Sequence, residues 1–221
     1  PSSAGKSTLT MRMQAGPIVT MNMLGAAGSD RHGRTYYTAW LAGSGVTSAN
    51  DEAIYRNGSL LYREGQGTAY SGLLYGNIGL LAFNDMGQTL VSAGLTGSAA
   101  TSDNNQALFL NHTLIARKGD AGPVSGTTLG GFSSARLNEA GQVAYLAWLS
   151  GSAVTSANDA AIVRDGTVIA RKGNTAAGTG GAAFGNFGSQ IALNDAGQVA
   201  YYSALVGGSV SHVNNQALWR N

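Results

Sequence analysis

A short motif recurs four times in this chain and constrains its fold more than any other feature. The clearest copies, Asn138–Tyr145 and Asn194–Tyr201, share the pattern Asn-x-Ala-Gly-Gln-Val-Ala-Tyr, and diverged copies begin at Asp30 and Asn84. The four starting positions follow one another at 54, 54 and 56 residues. A repeat of this length predicts stacked or radially arranged modules that bury their faces against one another.

Each repeat has the pattern of four short β-strands. In the third repeat we expect strands at about 132–137, 142–149, 160–164 and 167–171, with the Asn138–Gly141 turn joining the first two. The last two are separated by Asp165-Gly166, and the first repeat has Asn57-Gly58 at the same place. Such pairs accept positive φ at both positions, so they predict tight β-hairpins.

The two ends of the chain resemble two halves of one hairpin. Residues 7–13 alternate polar and apolar side chains and resemble the last strand of each later repeat, and residues 216–220 resemble a third strand without its partner. Pairing of 7–13 with 216–220 would close a ring and remove both exposed sheet edges.

These observations predict an all-β fold: a four-bladed β-propeller of four-stranded antiparallel blades, closed by the N-terminal strand pairing with the C-terminal strand. A β-solenoid is the nearest alternative, but it repeats in shorter units of parallel strands. We expect a single domain over 1–221, with repeats at approximately 14–63, 64–117, 118–171 and 172–221 plus 1–13.

A longer symmetry relates the first repeat to the third. Val46–Asp51 recurs as Val154–Asp159, and Trp40 recurs as Trp148. This alternation predicts a pseudo-twofold ring in which a site on the first blade appears again on the third.

Composition excludes several classes of protein. Charged residues make up 11% of the chain and the net charge is +2, with Lys and Arg scattered, so nucleic acid is not expected as a partner. No apolar run is long enough to span a membrane, and the absence of Cys excludes a disulfide scaffold. The abundance of Ser, Thr, Asn and Gly favours a secreted or cell-surface bacterial protein.

The Asn-x-x-Gly-x-x-Ala-aromatic pattern, intact at Asn138–Tyr145 and Asn194–Tyr201, resembles the bacterial tandem-repeat proteins described by an NxxGxxAF motif. The resemblance spans all four repeats. It implies a propeller-like repeat architecture and proteins that often carry a surface-sorting anchor, and it supplies no catalytic residues.

The best candidate site combines aromatic and polar residues on the loops that follow the second strand of the first and third repeats. A flat indole can stack on a sugar ring, and neighbouring amides and carboxylates can bind its hydroxyl groups. The alternative is that the asparagines cap their own loops and the tryptophans pack between blades. The predicted ligand-binding residues are Trp40, Asn50, Asp51, Trp148, Asn158 and Asp159.

Other motifs indicate no chemistry. Gly5-Lys6-Ser7 resembles the end of a phosphate-binding loop but lacks the required upstream glycine and the following helix. His32, His112 and His212 occupy unrelated repeat positions, which favours exposed turns over a metal site. The recurring Arg12, Arg63, Arg117 and Arg171 end the outermost strands, where we expect their stems to cover apolar surface.

The sequence therefore predicts a non-enzymatic module that binds carbohydrate, such as a glycan or cell-surface polysaccharide, with no cofactor and no metal. Two alternatives stay open. One is a structural protein in which the terminal strands pair between chains and form homo-oligomers. The other is a glycoside hydrolase or lyase, which the sequence disfavours because no carboxylate pair stands out.

Overall fold

A computed structural model describes residues 19–208 and 210–221, and every regular element in these ranges is a β-strand. The predicted strand 7–13 lies outside the described residues. The strands are β1 Val19–Ser29, β2 Thr35–Gly43, β3 Glu52–Arg56, β4 Ser59–Arg63, β5 Leu74–Phe83, β6 Thr89–Thr96, β7 Gln106–Leu110, β8 Thr113–Arg117, β9 Thr128–Leu137, β10 Val143–Ser150, β11 Ala160–Arg164, β12 Thr167–Arg171, β13 Ala183–Leu193, β14 Val199–Val206 and β15 Gln216–Arg220.

The strands form four antiparallel sheets in chain order. Sheet 1 contains β1–β4, sheet 2 β5–β8, sheet 3 β9–β12 and sheet 4 β13–β15, and each strand pairs with its neighbour in sequence. Four strands per repeat are thus confirmed for the first three repeats, and sheet 4 has three strands within the described residues. The result is a series of similar blades, as in propeller-like proteins.

The last two strands of sheets 1–3 are joined by the predicted tight hairpins. Asn57 and Asp165 adopt φ values of 49° and 48° before their glycines. In sheet 2 the turn is Asn111-His112, and His112 takes a φ of 67°. The first turn residue also accepts a hydrogen bond from the backbone N–H at the start of the second strand, as Asp165 does from Val143 at 2.9 Å. Asn221 makes the equivalent bond to Val199 at 2.6 Å, which gives β15 the position of a third strand.

The hydrophobic core lies between successive sheets. One cluster joins Ile54 and Tyr62 of sheet 1 to sheet 2, the next joins sheets 2 and 3, and a third joins sheets 3 and 4. Burial between blades therefore supplies the main stabilisation, as expected for a repeat protein whose units cannot bury both faces alone. A fourth, smaller cluster around Leu41 belongs to sheet 1 only.

The recurring Asn-x-x-Gly-Gln motif forms the turn between the first two strands of a sheet. In sheet 3, the Asn138 carboxamide oxygen accepts from the Gln142 backbone at 2.8 Å, while its Nδ2 donates to Gln142 Oε1 at 2.8 Å. The Gly141 N–H donates to the Asn138 carbonyl at 3.1 Å. One asparagine side chain thus satisfies the polar groups of its own turn.

The same turns are bonded to one another across sheets. Asn84 Nδ2 donates to the Asn138 carbonyl at 3.0 Å, and Asn138 Nδ2 donates to the Asn194 carbonyl at 2.8 Å. The next residue adds a second link, because the Glu139 N–H donates to the Asp195 carboxylate at 2.9 Å. The Asp85 N–H donates to the Glu139 carboxylate in the same way, at 2.7 Å.

Sheet 1 makes this connection with different residues. Asp30 and Arg34 replace the asparagine and glutamine, and the Arg34 guanidinium donates to the Asp85 carbonyl. Arg31 donates its N–H to the Asp85 carboxylate at 2.8 Å and forms an ion pair with it at 2.9 Å. The charged residues therefore preserve the link between the first two turns although the motif has diverged.

Within the described residues, no hydrogen bond or ion pair joins sheet 4 to sheet 1. Asn194 is exposed, whereas Asn84 and Asn138 are buried. Ring closure within the chain therefore stays a prediction.

The link between turns can be tested at Gly141. This residue has a φ of 80°, and a Cβ there would stand 2.8 Å from Gln88 Oε1 of the neighbouring sheet. Gly166→Ala is a matched control, because Gly166 has a φ of 77° and nothing lies within 4 Å of its Cβ position. We expect Gly166→Ala to lower the free energy of unfolding by about 1 kcal/mol, and Gly141→Ala to lower it by about 1–2 kcal/mol more because of overpacking.

Urea denaturation of both variants measures this difference. In a Gln88→Ala background the extra cost of Gly141→Ala should disappear, because the side chain that it meets is gone. Equal costs for Gly141→Ala and Gly166→Ala would contradict the proposed contact.

Candidate functional site

The predicted site residues lie at the loops between the second and third strands of sheets 1 and 3. In both loops the asparagine binds its own backbone. Asn158 Oδ1 accepts from the Thr155 N–H at 2.8 Å, and its Nδ2 donates to the Ala153 carbonyl at 3.2 Å. Asn50 makes the same two bonds, to Thr47 and Gly45, at 2.8 and 3.1 Å. These amides hold the loop shape.

Trp40 and Trp148 occupy equivalent strand positions but have different surroundings. Trp40 is half-buried against Gly25, and its Nε1 donates to Glu52 Oε1 at 3.2 Å. Trp148 is 45% exposed, and the residue paired with it on β11 is Ala160, which cannot accept a side-chain hydrogen bond. The expected twofold repetition of the site is therefore not seen in the indole environments.

The two aspartates also differ. Asp159 forms an ion pair with Lys172 at 3.0 Å. At the corresponding place in sheet 1 the lysine is replaced by Glu64, which is buried. Burial raises the pKa of Glu64, and the nearby carboxyl groups of Glu52 and Asp51 raise it further. Asp51 therefore faces another acid where Asp159 faces a cation.

A groove of about 520 Å³ runs along β9, between sheet 2 and β13. Its floor includes Leu108 and Phe132, which are buried. The groove contains hydroxyl, amide and guanidinium groups and, within the described residues, no carboxylate. The polar lining residues are Ser92, Gln106, Ser133, Ser134, Arg136, Ser189 and Gln190.

β9 contains a bulge where it lines this groove. Pairing between β9 and β10 changes register between Ala144 and Leu146, and Ser134 adopts a φ of 57°. The Ser134 hydroxyl donates to the Ser189 carbonyl, which ties the bulge to β13. A bulge bends the strand and redirects its side chains. Sequence periodicity did not reveal this, because a serine at positive φ has no distinctive local pattern.

Trp148 lies near this groove without being one of its lining residues. A Cβ on Gly131 would stand 3.7 Å from the indole Cδ1 and 3.3 Å from Gln106 Oε1. A single glycine therefore separates the indole from an amide that lines the groove. Of the six predicted residues, Trp148 is the one that adjoins the groove, and Gln106 was not predicted.

The remaining aromatic residues considered for this face belong mostly to the core. Tyr75, Phe184 and Phe187 are buried, while Tyr70 is exposed. Ring contacts accompany this burial: Tyr75 packs edge-on against Tyr62 of sheet 1 at 5.5 Å between ring centroids, and Phe184 packs edge-on against Trp219 of its own sheet at 5.0 Å. These residues stabilise the blades and leave Trp148 as the exposed indole among those described.

His112 is exposed in its hairpin turn, as the sequence predicts, and it also contacts two tyrosines. Its ring stacks on Tyr62 at 4.1 Å, and its Nδ1 lies 3.0 Å from the Tyr75 hydroxyl. Burial lowers the pKa of His112 and raises that of Tyr62. The imidazole therefore bridges the two tyrosines, and its partial burial between them disfavours the charged form. No group of three or more acidic or histidine side chains able to hold a metal occurs in the described part of the chain.

The arginines that end the outermost strands hold the loops. Arg63 Nε donates to the Asn50 carbonyl at 2.8 Å, and Arg171 Nε donates to the Asn158 carbonyl at 3.2 Å. Arg117 instead pairs with Asp120 at 2.7 Å. Arg12 lies outside the described residues. These guanidinium groups are engaged within single blades, which does not favour a converging anion site.

The acidic contact at Glu64 predicts a pH-dependent stability. The folded state binds the proton of the Glu64 carboxyl group more tightly than the unfolded chain does, since the pKa of Glu64 is raised from its ordinary value of 4.5. The free energy of unfolding therefore falls as the pH rises through the folded-state pKa. We expect Glu64→Gln to raise the Tm at pH 7 by about 2–4 °C, the effect of ~1 kcal/mol in a protein of this size.

Thermal denaturation from pH 4 to pH 7 provides the measurement. The gain from Glu64→Gln should vanish at pH 4, where both states are protonated. Glu64→Lys should also stabilise at pH 7, because it recreates the pairing that Lys172 makes with Asp159. A Tm difference independent of pH would argue against a buried proton at Glu64.

Comparison with known proteins gives a family and no function. A model of a family of unknown function, DUF7453, matches residues 12–221. No curated protein and no solved structure matches the chain significantly. The resemblance to the NxxGxxAF proteins stays a prediction, and no helix long and apolar enough to cross a membrane occurs among the described residues. Because the match covers nearly the whole chain, the protein belongs to the DUF7453 family of unknown function.

Proposed function

We propose that the protein is a non-enzymatic module that binds carbohydrate in the groove along β9. The observation that carries this proposal is the position of Trp148, an exposed indole that Gly131 separates from Gln106, one of the amide groups lining the groove. A sugar presents an apolar C–H face for stacking and hydroxyl groups that require directional partners. The groove volume also falls in the range of small-ligand sites.

Binding without catalysis is the better supported function. Glycoside hydrolysis requires two carboxyl groups on opposite sides of the scissile bond. The residues lining the groove include no Asp or Glu within the described part of the chain. Asp51 and Asp159 lie in separate sheets and bond to their own loops and neighbours.

We expect Trp148→Ala to weaken sugar binding by about tenfold or more, because it removes the stacking surface. Calorimetry with soluble polysaccharide fragments at millimolar concentration measures the affinity. Met86→Ala is the matched control: Met86 is also exposed and apolar, but it lies in the turn at the other end of its sheet. Absence of binding by the unmodified protein to neutral and acidic fragments alike would overturn the proposed function.

We also propose that the four sheets close into a β-propeller, with residues 7–13 completing sheet 4. Support comes from one face of sheet 4. It corresponds to the faces that sheets 1–3 bury against the sheet that follows each of them. Ile54, Leu108 and Ile162 occupy one repeat position and are at most 1% exposed, because each packs against the next sheet. Leu218 occupies this position in sheet 4 and is 79% exposed. It provides the apolar surface that a following sheet would cover.

The turns give a second argument for closure. Arg56 and Arg164 donate to the carbonyl of the glycine in the next turn, at Gly87 and Gly197. Arg220 occupies the same position in sheet 4, and the space beside Gly33 of sheet 1 is open. Sheet 4 thus has an arginine that could donate this hydrogen bond, and sheet 1 has the glycine turn that could accept it.

Hydrogen exchange tests the closure. In a closed ring, the outer edge of β15 is hydrogen-bonded, so amides within residues 216–220 should be protected, and deletion of residues 1–13 should remove that protection. The amides of β12, the outermost strand of sheet 3, serve as the internal control. Equal exchange of β15 with and without residues 1–13 would contradict the proposed strand pairing.

Self-assembly is the second candidate function, because the same two faces could join between chains. Light scattering distinguishes a closed monomer from an assembly of several chains. A mass near 22.4 kDa supports the closed monomer, whereas larger species that dissociate on Leu218→Asp substitution support head-to-tail assembly.

We further propose a secreted or cell-surface bacterial location, on the basis of the Ser-, Thr-, Asn- and Gly-rich composition, which cell fractionation would test.

A further inference from the structure

We infer that the groove along β9 binds an acidic sugar, with Arg136 contacting the sugar carboxylate. This inference rests on the proposed carbohydrate-binding function and names the class of ligand. The first observation is the charge of the site. Among the described residues that line the groove, Arg136 is the one that is charged, and the other polar groups are neutral. The described part of the site therefore has a net positive charge, with no carboxylate to balance it.

The guanidinium of Arg136 has unused hydrogen-bonding capacity. Its Nη1 donates to the Ala135 carbonyl at 2.9 Å, and no carboxylate within the described residues lies close enough to form an ion pair with it. Several other arginines pair with acids, as Arg117 does with Asp120 and Arg31 with Asp85. Since a guanidinium carries five N–H donors, Arg136 retains donors for a ligand.

The position of Arg136 follows from the bulge in β9. The positive φ of Ser134 and its bond to the Ser189 carbonyl fix the strand two residues before the arginine. A second groove, of about 370 Å³, offers a comparison, since Arg117 lines it together with its partner Asp120. The cation of that groove is neutralised, whereas the cation of the β9 groove is not.

An acidic sugar matches this set of groups. Its carboxylate can form charge-assisted, bidentate bonds with a guanidinium. Its hydroxyl groups can bond to neutral amides and hydroxyls such as those of Gln106, Gln190 and Ser133. Trp148, which Gly131 separates from Gln106, offers a stacking surface for an adjoining ring. No acidic side chain lines the groove to repel the carboxylate within the described residues.

Calorimetry with two matched probes tests the inference: an oligogalacturonate and its methyl ester, which has the same rings without the charge. We expect the acid to bind the unmodified protein about tenfold or more tightly than the ester, and the preference to weaken at high salt. Arg136→Gln should abolish the preference, because the affinity for the acid should fall to about that for the ester. Arg136→Lys should keep part of it, because the charge remains but the planar fork is lost.

Arg117→Gln, in the second groove, is the control and should keep the full preference for the acid. Melting temperatures of the variants verify that they are folded. A preference for the acid that persists in Arg136→Gln would overturn the assignment to Arg136. Equal binding of acid and ester by the unmodified protein would overturn the acidic ligand and leave the proposed function intact, whereas binding of neither would overturn both.

Discussion

The hydrogen bonds between successive Asn-x-x-Gly turns are the constraint on which the arrangement of the blades depends. Asn138 satisfies its own turn with one oxygen and shares its two N–H donors between that turn and the next one. Because a buried amide with unsatisfied donors would be costly, the side chain fixes both the turn and the neighbouring sheet. The apolar clusters between sheets supply most of the free energy of folding. The hydrogen bonds between turns determine how successive sheets are placed against one another.

This double role explains why the motif tolerates some changes and not others. In sheet 1, Asp30 and Arg34 replace asparagine and glutamine, and the longer guanidinium donates to the Asp85 carbonyl, one residue beyond the position that the asparagine amides bind in the other turns. The glycine is less replaceable, because it combines a positive φ with close packing against the preceding glutamine or arginine. The chemistry of the link is thus conserved between repeats more strictly than the residue types.

The grooves show how a repeated framework acquires distinct sites. Trp40 and Trp148 have the same place in their sheets, but Glu52 holds one indole and Ala160 leaves the other exposed. Likewise, Asp159 has a lysine partner where Asp51 has Glu64. Single substitutions at equivalent positions therefore change the charge and access of a loop without altering the blade, and the pseudo-twofold symmetry of the sequence does not extend to its surface.

The sequence by itself determined the all-β class, the four repeats, the hairpins and the positions of the second, third and fourth strands of the third repeat, because these depend on local periodicity and turn chemistry, whereas β9 begins four residues before its predicted start. It also left the capping role of Asn50 and Asn158 open as an alternative, which the loop hydrogen bonds support. Only the tertiary structure decided that Trp148 is exposed while Trp40 is not, and that Gln106, Ser134 and Arg136 share a groove. Those residues come from different sheets or from a bulge. Their proximity depends on packing between blades, and a local sequence pattern does not predict that packing.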